Sequence, residues 1–148
     1  MATPMTITTN AEERVDRLRV LLADDYQPIL DFVRHLLERK YDIVGLVRDG
    51  ESLVDAANRL QPDIIVLDIT MPLLTGLEAA GEISKRANPP KFIFLTLLDE
   101  PGVVEKALSV GASGYVLKSA LVTDLEKAID SAVEGRVFVS PVIKGSYH

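Results

Sequence analysis

The polar residues that end short apolar runs carry the chemistry of this chain. The run at 18–23 ends in Asp24-Asp25, the run at 64–67 in Asp68, the run at 91–95 in Thr96, and the run at 115–117 in Lys118. A carboxylate at the mouth of a buried strand either caps a turn or does chemistry. An acid pair, a further carboxylate, a hydroxyl and an ammonium are the parts of a metal-assisted phosphoryl-transfer site. Asp68 is its expected nucleophile, and Thr96 a hydrogen-bond donor to a phosphoryl oxygen. Magnitude supports a cation. Three carboxylates within ~5 Å repel by roughly 3 kcal/mol per pair at an effective dielectric near 20. Mg²⁺ suits such oxygen ligands, and Lys118 supplies one fixed ammonium.

Those residues need elements to bring them together. Apolar runs at 18–23, 41–47, 64–67, 91–95 and 115–117 are too short for helices and are bounded by Asp, Gly, Pro or Asn. Between them lie segments of helical period near 29–40, 51–60, 74–87, 101–110 and 121–134. Pro28 suits the first turn of the first helix. Thr123-x-x-Glu126 predicts a capping box for the fifth helix, and Gly135 its C-terminal cap. Gly50 and Gly76 are assigned to tight turns. Alternating strands and helices with short connections predict an α/β fold: a five-stranded parallel sheet, order 2-1-3-4-5, with helices on both faces. In such a sheet every strand ends on one edge. Ligands bind there, where strand order reverses, between the first and third strands. Asp24, Asp25 and Asp68 then meet at one spot, flanked by Thr96 and Lys118.

Composition removes other classes. The chain has 148 residues, one domain's worth, and 47% of them are hydrophobic, which excludes a disordered chain. It has no Cys and two His, His35 and His148, so thiolate and His-based zinc sites are excluded. A net charge of −6 argues against a grip on nucleic acid by this segment. No apolar run is long enough to cross a bilayer, and the N-terminus does not read as a signal peptide, so the cytoplasm is expected. The absence of GxGxxG and GxxxxGK[ST] argues against nucleotide binding.

With these residues in order, the chain resembles the receiver domain of two-component response regulators across about 17–134. The resemblance is carried by Asp24-Asp25 after the first strand, Asp68 in "LDITMP", Gly76 eight residues later, Thr96 in "FLT", and Tyr115 with Lys118 in "GYVLK". It implies that Asp68 accepts a phosphoryl group from a phosphohistidine on a sensor histidine kinase. It further implies that Asp25, Asp68 and the backbone carbonyl of Thr70 hold Mg²⁺ directly, and Asp24 directly or through water. Thr96 and Tyr115 would be a switch pair that remodels the face made by the fourth helix, fifth strand and fifth helix. The segments "GASGYVLKSA" and "AVEGRVFVSPVI" are similar to the NarL/LuxR-type branch, whose receivers precede a helix-turn-helix domain. Transcriptional output through such a domain, outside this chain, and homodimerisation on phosphorylation are then expected.

Alternatives stay open at this point. The chain is either a piece of a longer regulator or a stand-alone single-domain regulator acting by protein contact. A phosphatase of the haloacid dehalogenase type is disfavoured, because Thr70 stands where that class places its second Asp. Asp68 as a plain turn cap and Tyr115 as a static aromatic are the bland readings. Two positions depart from the common family pattern: Ser119 stands where many receivers have Pro, and Leu97 where a small residue is usual. A bulky Leu97 is expected to guard the phosphoryl pocket. The expected organisation is a flexible tail at 1–16, the receiver domain at 17–134, and a C-terminal linker or tail at 135–148.

Overall fold

The computed structural model describes residues 17–97 and 101–141. The expected tail at 1–16 and His148 lie outside the described residues. The elements run β1 (Arg19–Ala23), α1 (Gln27–Leu37), β2 (Asp42–Val47), α2 (Gly50–Leu60), β3 (Ile64–Asp68), α3 (Gly76–Ile83), β4 (Lys91–Thr96), α4 (Pro101–Ser109), β5 (Gly114–Leu117), a 3₁₀ turn (Lys118–Ala120), α5 (Leu121–Val133) and β6 (Phe138–Val139). All strands pair in parallel, in the order β2-β1-β3-β4-β5-β6. The expected five strands appear in the expected order.

The sheet carries one strand more than expected. β6 lies in the segment assigned to a linker. It covers the open edge of β5, with the Phe138 N–H donating to Ser113 O (3.0 Å) and the Ser140 N–H to Tyr115 O (2.9 Å). Two residues are too few to announce a strand by periodicity.

Alternation along the strands splits the core into two layers. Leu21, Ala23, Ile65, Leu67, Phe92, Phe94 and Tyr115 face α2, α3 and α4. Val20, Leu22, Ile64, Val66, Ile93, Leu95 and Val116 face α1 and α5. β3 is buried along its whole length, which is why it reads as a continuous apolar run. Each fully buried Leu or Ile here contributes roughly 1.5–3 kcal/mol. At the far edge, β2 is irregular: Val20 pairs with Ile43 but Leu21 with Gly45, leaving Val44 as an extra residue.

Two local expectations are corrected. The Thr123-x-x-Glu126 box does not form, because α5 begins at Leu121, directly off the 3₁₀ turn, and Ala120 is its N-cap. The capping box that does form is Thr75–Glu78 at the start of α3: the Glu78 N–H donates to Thr75 Oγ1 (3.1 Å) and the Thr75 N–H to Glu78 Oε1 (3.0 Å). The third helix stops at Ile83 rather than near 87, tightening into Lys85 N–H to Glu82 O (3.3 Å) and Arg86 N–H to Ile83 O (3.2 Å). Gly135 ends α5 as expected, with φ +80°. Its N–H donates to Ala132 O (3.0 Å) and that of Arg136 to Ser131 O (2.8 Å). Among the described residues, no helix is long and apolar enough to cross a membrane.

Candidate functional site

The polar residues converge where β1, β3, β4 and β5 end. β1 runs into Asp24, whose N–H still donates across the ladder to Val47 O (3.1 Å). The side chain is 1% exposed, and its Oδ1 accepts from the Tyr26 N–H (2.9 Å), turning the chain into α1. Asp25 is exposed. Its carbonyl oxygen accepts from Arg48 Nη2 (2.9 Å), which ties the β1 and β2 loops together. Asp68 is the last residue of β3, buried, and opposite Leu95 in register. Carboxylate oxygens of Asp24, Asp25 and Asp68 lie within 4.8 Å of one another.

Lys118 opens the 3₁₀ turn after β5 and reaches back over the sheet edge. Its Nζ lies 2.7 Å from Asp24 Oδ2 and 3.4 Å from Asp68 Oδ1, with the side chain 7% exposed. A lysine so buried is held by its partners. Thr96 ends β4, buried, one residue past the register partner of Asp68 and opposite Leu117. Thr70 lies two residues beyond Asp68 and is exposed. Tyr115 stands one strand over, opposite Phe94, wholly buried in the layer under α2, α3 and α4. The structure thus brings Asp24, Asp25, Asp68 and Lys118 together, sets Thr96 and Thr70 beside them, and packs Tyr115 inward behind.

The loop that carries Thr70 is clamped by two glycines. A Cβ on Gly76 would collide with the Asp68 carbonyl oxygen, and one on Gly50 with that of Leu74. The Gly76 N–H donates to Ile69 O (2.7 Å) and the Gly50 N–H to Pro72 O (3.3 Å). Close backbone approach, rather than a turn needing positive φ, is what requires glycine at both positions. The strained residue of this loop is Leu73, at φ +70° and 70% exposed.

Electrostatics follow from burial. Asp68 is pushed up from 3.8 to about 6, first by desolvation and then by the Asp24 carboxylate; the Lys118 ammonium and the Thr70 N–H pull the other way. The donor set suits a hard cation: three carboxylates within one ion's reach, and a buried Asp24 Oδ2 with no hydrogen bond among the described residues beyond its ion pair to Lys118. An acidic pocket that fits a divalent metal is present.

Arg48 joins the site from the end of the second apolar run, where it directly follows Val47. Thr75-x-x-Glu78 has the same pattern as Thr123-x-x-Glu126, and the sequence alone does not say which of the two sits at a helix start. His35 is a surface residue, with Nδ1 3.6 Å from Glu38 Oε2.

Comparison with known proteins adds an independent line. The sequence profile described as response regulator receiver domain matches residues 20–130. The transcriptional regulatory protein YvfU of Bacillus subtilis is 36% identical over 126 residues, 84% of this chain and 63% of that protein. A two-component response regulator of the LuxR family from Aurantimonas superposes with a TM-score of 0.84 at 30% identity, covering 89% of this chain and 96% of that one. The receiver domain of the response regulator NarL from Mycobacterium tuberculosis superposes with a TM-score of 0.76 at 29% identity, covering 81% and 98%. The chain spans between 58% and 63% of the length of such curated relatives.

Proposed function

The chain belongs to the response regulator receiver domain family, in its NarL/LuxR-type branch, and we propose that it is a phosphoryl-accepting switch with Asp68 as the acceptor. The observation that carries this reading is the Lys118 ammonium standing between two buried carboxylates, 2.7 Å from Asp24 and 3.4 Å from Asp68.

In this reading an Asp68 carboxylate oxygen attacks the phosphorus of a phosphohistidine on a sensor histidine kinase. The new O–P bond makes an acyl phosphate, the N–P bond breaks, and its electron pair returns to the imidazole. Asp25, Asp68 and the Thr70 carbonyl would hold Mg²⁺, with Asp24 bound directly or through water, and the ion would supply positive charge that offsets the acids and the transferring group. Lys118 balances charge on one side of the transferring group, and Thr96 donates a hydrogen bond to it. Thr96 and Tyr115 then form the switch: the Thr96 hydroxyl follows the phosphoryl oxygen, and the inward packing of Tyr115 gains population. The α4-β5-α5 face changes as a result. The protein acts only on itself, catalysing its own phosphorylation and dephosphorylation.

Output is transcription, through a helix-turn-helix domain outside this chain. This is supported by the naming of relatives as transcriptional regulatory proteins. Homodimerisation on phosphorylation, in the cytoplasm, completes the reading. The test is direct: treat the protein with acetyl phosphate or beryllofluoride and Mg²⁺, and repeat with Asp68→Ala. A mass gain on acetyl phosphate and beryllofluoride binding, both needing Mg²⁺ and Asp68, are expected. Modification that persists in Asp68→Ala rejects the assignment.

A further inference from the structure

β6 has two residues, too few for ladder bonds alone to hold a strand in place. A buried polar knot at its end does so. The Ser140 hydroxyl donates to Asp124 Oδ2 (2.7 Å), and Ser140 Oγ in turn accepts from the Leu117 N–H (3.1 Å). The Ser140 N–H donates to Tyr115 O (2.9 Å). Thr123 Oγ1 lies 3.1 Å from the other Asp124 oxygen. Ser140 is 1% exposed and Asp124 6%. A buried carboxylate and a buried N–H are both costly to leave without partners. Undocking Ser140 takes a donor from Asp124 and the acceptor from Leu117, so the knot is either closed or open.

The knot grips the end of β5, and the next residue is Lys118. One side of this strand end therefore carries the cation of the site. The other carries the chain that continues past Pro141. Tyr115, on the same strand, meets β6 through its carbonyl. Lys118 Nζ stands 2.7 Å from Asp24 and 3.4 Å from Asp68, so a phosphoryl group on Asp68 would compete with Asp24 for this ammonium, and a lysine drawn away from Asp24 would pull on the strand end at Leu117.

Resting on the reading of Asp68 as phosphoacceptor, we propose that the Ser140–Asp124–Leu117 knot couples the state of Asp68 to the docking of residues 136–141, so that occupancy of the site releases the chain that follows β6. Ser140 is a positioning residue here; it touches no reacting atom.

Coupling of this kind is reciprocal, and that separates it from a merely structural contact. Hydrogen–deuterium exchange at the Phe138 and Ser140 amides is to be followed with Mg²⁺, with and without beryllofluoride. The wild-type protein, Ser140→Ala, Ser140→Thr and Asp68→Ala are compared, with beryllofluoride affinity measured in parallel. In the wild type, beryllofluoride speeds exchange by about fivefold, the low end of typical couplings. Ser140→Ala opens the knot beforehand, abolishes that response, and tightens beryllofluoride binding by a comparable factor. Ser140→Thr keeps the hydroxyl and restores wild-type behaviour. Unchanged or slowed exchange in wild-type protein that binds beryllofluoride overturns this inference alone. Failure to bind in a manner requiring Mg²⁺ and Asp68 overturns the phosphoacceptor reading and this inference with it. If Ser140→Ala does not fold, the wild-type exchange response still decides.

Discussion

At the level of single residues, Asp68 shows how the protein makes a carboxylate wait for its partner. Burial and the Asp24 charge raise it to about 6 from 3.8. Between those values the folded chain keeps the proton and the unfolded chain has lost it. Stability without divalent metal therefore falls as pH rises through this window. A cation that binds the carboxylate reverses the trend. Thermal melts from pH 4 to 7 are expected to show a stabilisation by Mg²⁺ that grows with pH and levels off above about 6; a pH-independent increment contradicts it. Lys118 is the counterpart. Lys118→Met leaves two buried carboxylates facing each other, so Mg²⁺ affinity is expected to rise while phosphoryl transfer to Asp68 falls by more than about tenfold, one missing charge-assisted contact in the transition state. Acetyl phosphate kinetics with Mg²⁺ titration measure both. Leu97 follows Thr96 and is 77% exposed. Leu97→Ala is expected to speed autophosphorylation and dephosphorylation by about threefold, a barrier change below about 1 kcal/mol. Equal rates in variant and wild type reject the gate.

Elements set these side chains by backbone contact more than by side-chain packing. The loop from Asp68 to α3 is pressed between Gly50 and Gly76, each without room for a methyl group. Gly50→Ala is expected to destabilise the fold by about 1–3 kcal/mol, as overpacking does, and to weaken Mg²⁺ binding because the Thr70 backbone moves. Denaturant unfolding and metal titration check the two effects separately. Leu73 offers the opposite change. It sits at positive φ and is mostly exposed, so Leu73→Gly gives up little packing and is expected to gain about 1 kcal/mol in unfolding free energy. The end-of-strand rule made most of the site legible in the sequence: a polar residue directly after a β-branched run lands on the carboxyl edge whatever the helices do. Thr75 and Ser140 were not legible in that way. Their roles depend on where α3 begins and on which strand the chain meets after α5, both decided by packing between distant segments.

For the whole molecule, the order of strands was readable because five short runs alternate with five helical periods, and parallel crossovers leave few arrangements. The sixth strand was not, since its residues take their meaning only from the bare edge of β5. At the opposite edge lies β2, where Val44 interrupts the pairing with β1. An extra residue bends and twists a strand, so its outer row of N–H and C=O groups does not present a flat template to another chain. Concentrated solutions of this protein should accordingly resist fibril growth seeded from that border, and excising Val44 to straighten the strand should invite it.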